Sequence, residues 1–186
     1  MRYAMIVMLS ATLLVTGCHT VSYEGNENSP YYVIPAGSRL GLEREIVIPA
    51  NRAAVYIQGG QVRLLADVNS YYPYCKFEVR FPRDVMQKVQ PDDFVVTRAY
   101  QETPLSVRAD PQGSDRGGRL VHVVSMDSGD ASAIAYATTI WLHSDRQPDV
   151  FRMTCAQWGY PPLGGHLSIA DIRKTLVGVF TLKITR

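Results

Sequence analysis

Apolar and polar residues alternate with a period of two along most of this chain, the spacing of a strand buried on one face. Residues 39–48 place Leu40, Leu42, Ile46 and Ile48 at even positions before Pro49-Ala50-Asn51 ends the run. Residues 53–58 and 61–65 flank Gly59-Gly60, a pair suited to the tight turn of a hairpin. In residues 75–80, Cys75, Phe77 and Val79 are expected to point inward and Lys76, Glu78 and Arg80 outward. Further strands are predicted over 94–100, 119–126, 133–143 and 150–158, the third of these favoured over helix by its β-branched residues. The folded part begins at 31–34. Residues 85–93 read as a polar connection with a solvated Asp92-Asp93 pair, and 103–118 as a loop rich in Gly, Pro, Asp and Arg.

The period changes near the end. Ser168 precedes Asp171 at capping-box spacing, and Ile169, Ile172 and Leu176 recur at helical intervals, so a short helix is predicted, then a break at Gly178 and a last strand over 179–185. Strands with one helix, no alternating βα units and no repeat predict a mainly β fold. It is an antiparallel β-sandwich or a partly open barrel, with the helix packed over one open end.

One stretch does not alternate. Behind Arg2, residues 4–15 are apolar except for Ser10 and Thr12, too short for a membrane-spanning helix and the right length for the core of a secretory signal. The run closes as Leu13-Leu14-Val15-Thr16-Gly17-Cys18. Two plainer readings are a secretory peptide cut elsewhere and an uncleaved anchor in which Cys18 is an incidental thiol. The Val15-Thr16-Gly17-Cys18 ending resembles the bacterial lipoprotein signal, in which small residues precede a cysteine that is lipidated and becomes the first mature residue. The resemblance implies three acyl chains on Cys18, palmitate among them, where a single chain would bind a membrane only marginally. His19 in place of an aspartate resembles lipoproteins sorted to the outer membrane. In architecture alone, residues 31–186 are similar to small proteobacterial envelope lipoproteins with one β-rich domain and two cysteines. The expected organisation is a signal peptide over 1–17, a lipidated cysteine and flexible tether over 18–30, and a single domain over 31–186. Twelve polar tether residues as random coil would reach roughly 20 Å, so a partner has to be close by.

Composition narrows the partner. Hydrophobic residues make up 46% and charged ones 19% of the chain, a globular profile. The formal charge of +2 falls by one when Arg2 is removed, and no Lys/Arg run exists, which argues against nucleic acid. With Cys18 assigned to the anchor, Cys75 and Cys155 remain, and in an oxidising compartment they are expected to pair. A metal pair or a nucleophilic cysteine are the competing readings. Neither cysteine lies in a Cys-x-x-Cys motif or at a helix start.

Candidate chemistry is sparse. His122, His143 and His166 lack metal-ligand spacing, Ser125 and Ser128 beside Asp127 read as turn residues, and no nucleophile, phosphate-loop or dinucleotide motif is present. No catalytic residue, metal or cofactor is therefore expected, although β-rich active sites are often assembled from scattered residues. Tyr71, Tyr72 and Tyr74 cluster before Cys75, and Tyr31 and Tyr32 stand at the domain's entry. Such rings suit an interface, and equally the packing of a core over a disulfide. Trp141 and Trp158 share the ambiguity, with Trp158 read as a core lid. The expected function is a non-enzymatic, lipid-anchored, periplasm-facing binder or scaffold of another envelope component. The alternatives are an envelope hydrolase or metal-dependent enzyme, and a carrier of a small ligand or glycan in a barrel mouth.

Overall fold

The computed structural model describes residues 25–102 and 133–185. In chain order the strands are β1 (Arg39–Leu42), β2 (Ile46–Ile48), β3 (Ala54–Gln58), β4 (Gln61–Arg63), β5 (Tyr74–Val79), β6 (Gln87–Val89), β7 (Asp92–Glu102), β8 (Ile134–His143), β9 (Val150–Gly159) and β10 (Phe180–Lys183). Eight form one antiparallel sheet in the order β10-β1-β7-β8-β9-β5-β3-β4, and β2 pairs with β6 in a separate ribbon. The one α-helix among the described residues, α1 (Ile169–Leu176), touches β10 at one end of that order and β3 and β5 near the other, so the sheet curls around it. The mainly β fold, with a helix before the last strand, is the expected one.

Alternation builds the concave face. Phe77, Phe94, Ile140 and Met153 have no exposed surface, and the Phe77 ring meets Phe94 at 6.2 Å and Phe180 at 5.0 Å. Ile169, Ile172 and Leu176 of α1 fill the hollow, joined by Ile46, Ile48 and Val89 from the ribbon. The helix starts where expected: the Ser168 hydroxyl accepts from the Asp171 N–H, and the Asp171 carboxylate accepts from the Ser168 N–H, each at 3.1 Å. It ends at Gly178, whose φ is +70°. The Gly59-Gly60 turn also forms, with φ of +58° and +75°, and the Gly60 N–H donates to the Thr175 carbonyl of α1 at 3.0 Å. Cys75 and Cys155 are directly opposite on β5 and β9 and are joined by a disulfide, fully buried in the concave core.

Several expectations change. The alternating run over 39–48 breaks at Glu43–Glu45, and its halves join different sheets. Residues 85–93 hold β6 and the start of β7, because Val89 supplies an apolar contact that the surrounding polar residues obscure. Residues 31–34 form no strand, although Ile34 is buried. The expected tether is docked at its end: the Glu27 carbonyl accepts from the Ile169 N–H at 3.0 Å, its carboxylate pairs with Arg173, and the Gln101 side chain donates to the Pro30 carbonyl at 2.6 Å. Polar contacts, not apolar burial, hold this segment. Asp92 is not solvated; it is buried and accepts from Ser144 at 2.6 Å, Gln147 at 3.1 Å, the Asp93 N–H at 2.8 Å and the Arg146 guanidinium. Cys18 with the signal segment, the loop over 103–118, the strand over 119–126, His122, Ser125 and Ser128 lie outside the described residues.

Candidate functional site

The outer face of the sheet carries the residues that alternate with the core. On β5 these are Tyr74, Lys76 and Glu78, on β9 Arg152, Thr154, Ala156 and Trp158, and on β3 Tyr56. Expected simply to face solvent, this side is partly closed. Tyr56, Tyr74 and Glu78 are buried, and Lys76 and Arg152 are half-buried. Tyr56 and Tyr74 pack with ring centroids 6.3 Å apart beside Ala137 and Ala156, forming a second small apolar cluster. Burial holds the Tyr74 hydroxyl above the ordinary tyrosine pKa, against a hydrogen bond with Trp158 that works the other way.

Two sites flank that cluster. The first is a groove of about 850 Å³. Its base is Tyr56, Lys76, Glu78 and Arg152; Leu64 to Ala66, in and before a short 3-10 turn, stand along its rim, and Arg52, Arg80 and Phe151 complete the lining. Arg152 grips Glu78 with two donors, at 2.6 and 3.1 Å, and Lys76 Nζ lies 2.8 Å from the same carboxylate. The side chains of Lys76, Glu78 and Arg152 are 15%, 7% and 16% exposed, so this ion cluster is largely withdrawn from water. The Phe151 ring carries the Arg80 guanidinium at 5.6 Å and that of Arg152 at 4.9 Å. Among the described residues of the lining, Glu78 is the only acidic one, against four cationic ones.

The second site is an aromatic rim at the opposite end of the outer face. The Gln58 amide organises it: Nε2 donates to the Asn69 carbonyl at 2.9 Å, and Oε1 accepts from the Asn69 N–H at 3.1 Å. Asn69 Oδ1 then accepts from the Tyr71 N–H at 3.1 Å, and the Trp158 N–H donates to the Ser70 carbonyl at 2.8 Å. Held in this way, the Tyr71 ring stacks on Tyr160 at 6.2 Å and meets Trp158 edge-on at 5.9 Å. The paired hydroxyls of Tyr71 and Tyr160, 3.4 Å apart, raise the pKa of Tyr71. Tyr71, Tyr72, Tyr160 and Leu163 are all exposed.

The three adjacent tyrosines thus divide. Tyr71 and Tyr72 face solvent, whereas Tyr74 is 4% exposed and cannot present its ring to a partner. Strand alternation also puts Tyr74 on the face opposite Cys75, so it does not cover the disulfide. Trp158 supports the rim, and Trp141 packs edge-on against Phe151 of the groove at 5.6 Å. His143 is bound to Asp145 at 3.0 Å near one end of β8, while His166 packs on Tyr136 near the other, and burial lowers its pKa. Among the described residues no three His, Cys, Asp or Glu side chains gather as a metal site. Tyr160, Leu163 and the groove were not anticipated. The available signal was Tyr56, Tyr74 and Trp158 at outward positions of strands, too many large rings for a face left to water. No protein-family model, curated protein or solved structure matches this chain.

Proposed function

We propose that this chain is a lipid-anchored, periplasm-facing protein of the outer membrane that binds or scaffolds another envelope component and catalyses no reaction. The observation that carries the binding role is the rim of Tyr71, Tyr72 and Tyr160, exposed aromatic surface fixed in advance by Gln58 and Trp158. Pre-organised rings give contact area without an ordering cost on association. The compartment is supported by the Cys75–Cys155 disulfide, which suits an oxidising environment, and by the signal-like ending at Cys18. Glu27, the docked start of the fold, is nine residues after Cys18, so acyl chains there would lie within about 30 Å of the domain.

Metabolic labelling with palmitate tests the anchor: label is expected on the protein and lost in Cys18→Ser, which should also leave the membrane fraction. Label that persists in the variant would overturn it. Crosslinking in intact cells tests the binding role. A specific adduct should form and disappear in Tyr71→Ala/Tyr160→Ala, and an adduct indifferent to both tyrosines would remove the rim from the interface. A carrier with its ligand in a barrel mouth has less support, since the concave side is packed with side chains and the 850 Å³ groove opens on the outer face.

A further inference from the structure

We propose that the aromatic rim binds a neutral glycan, a strand of uncharged sugar rings lying across Tyr71, Tyr72 and Tyr160. This inference rests on the reading of the rim as the binding surface and names the class of envelope component it receives. The strand lies on an open surface, so the protein is not a carrier that encloses its ligand.

The first observation is the charge of the segments that build the rim. Residues 68–74 read Val-Asn-Ser-Tyr-Tyr-Pro-Tyr and residues 157–165 read Gln-Trp-Gly-Tyr-Pro-Pro-Leu-Gly-Gly. Neither contains Asp, Glu, Lys or Arg, in a chain that is 19% charged. A charged ligand would give up hydration there with no ionic group of these segments to replace it, so the rim complements an uncharged one. Protein partners are met through a charged or polar border around an apolar centre, and these two segments supply no charge for one.

The second observation is how the rings are held. Tyr71 and Tyr160 stack with their planes 23° apart, and Trp158 meets Tyr71 edge-on at 70°. Asn69 fixes the Tyr71 backbone, and the Leu163 and Gly164 N–H groups both donate to the Tyr160 carbonyl at 2.9 Å. These supports keep ring surface outward before a ligand arrives, with Tyr71, Tyr72 and Tyr160 51%, 64% and 50% exposed. A sugar ring carries C–H bonds of slight positive charge on its flat faces, which the negative face of an aromatic ring attracts. Its hydroxyls stand around that face and need partners. The Tyr71 and Tyr160 hydroxyls, 3.4 Å apart, hold two hydrogens and use one between them, so a donor and several lone pairs remain at the ring edges.

The test is a ligand-observed NMR titration of the full-length protein, as purified from expressing cells, with cellotetraose, tetra-N-acetylchitotetraose and tetragalacturonate. Saturable binding of at least one neutral tetrasaccharide is expected, tighter than that of the acidic one. Tyr160→Ala and Tyr71→Ala should each weaken it about tenfold, whereas Tyr160→Phe keeps the ring and should cost no more than about threefold. Phe81→Ala removes an exposed ring beyond the other end of β5 and should change nothing. Melting curves of the same samples show that each variant is folded. No saturable binding of a neutral sugar, equal or tighter binding of tetragalacturonate, or unchanged binding in both alanine variants overturns the glycan assignment. If a Tyr71-dependent cellular adduct forms all the same and protease digests the attached partner, the rim stands as a recognition surface and its ligand is a protein. If that adduct is missing too, the rim reading falls with the glycan.

Discussion

The two faces of the eight-stranded sheet alternate along the same strands, and they are finished by different means. On β5, Cys75 and Phe77 point into a hollow filled by α1 and the β2–β6 ribbon, with no exposed surface. Their neighbours Tyr74, Lys76 and Glu78 look the other way, toward a ring cluster, an ion cluster and a groove. Apolar burial needs only a size and a position, and the concave core is built from apolar side chains of α1 and of the strands other than β4. The outer side combines rings with charges whose partners come from other strands, and it is there that exposed aromatic surface and an open groove lie.

The sharpest contrast concerns the disulfide, a covalent tie inside the concave core. It closes a loop with a sequence separation of 80, for which loop entropy predicts stabilisation of about 4 kcal/mol. Replacing both cysteines with alanine should lower unfolding stability by about 3–4 kcal/mol in urea titrations. A loss below about 1 kcal/mol would mean that packing alone secures this face.

A smaller effect distinguishes two adjacent glycines. A Cβ on Gly60 would lie 2.5 Å from the Val177 carbonyl oxygen, whereas one on Gly59 would meet nothing within 4 Å. Both have positive φ, so strain is common to them and contact is not. Gly60→Ala should cost about 2–3 kcal/mol by thermal unfolding, and Gly59→Asn under about 1 kcal/mol. Equal costs would show that the docking of the hairpin against the end of α1 contributes little.

Buried carboxylates give the next comparison. Asp92 shares the parity of Phe94 and Val96, and although burial raises its pKa, hydrogen bonds from Ser144, Arg146, Gln147 and the Asp93 N–H prevail and hold it well below the ordinary carboxylate value. A folded pKa below the unfolded value of about 3.9 means that its contribution is complete above that pH and is lost as pH falls through the folded pKa. Asp92→Asn should therefore destabilise by about 2 kcal/mol at neutral pH and flatten the decline in stability on acidification. Urea midpoints measured from pH 7 to pH 2 check both parts; an acid limb as steep as in the unmodified protein would assign it to other groups.

These contrasts also explain what the sequence could tell. Period two located the strands around Leu40, Phe77 and Ile140, and the Ser168–Asp171 box located α1, because each signal is local. Asp92 looked solvated because Ser144, Arg146 and Gln147 arrive from more than fifty residues away. Glu78 looked exposed for the same reason, with Arg152 a whole strand pairing distant. The rim was half visible: Tyr71 and Tyr72 stood out, but Tyr160 joins them only through the fold, and parity sets Tyr74 on the same outer face, where only the packing of Tyr56 from another strand buries it.

The smallest expected change in stability separates the tyrosines. Tyr71 is 51% exposed and Tyr74 4% exposed, three residues apart in one turn-to-strand segment. Tyr74→Ala removes a ring packed on Tyr56 and should cost about 3 kcal/mol. Tyr71→Ala removes stacking with Tyr160 and Trp158 and should cost under about 1 kcal/mol, since both partners keep their backbone support. Paired melting curves and cell crosslinking decide the matter together. The rim is a recognition surface if Tyr71→Ala leaves the melting temperature nearly unchanged and abolishes the adduct. If instead Tyr71→Ala unfolds the protein as readily as Tyr74→Ala does, the stacked rings are a lid on the end of the sheet, and the recognition surface must be sought elsewhere on the outer face.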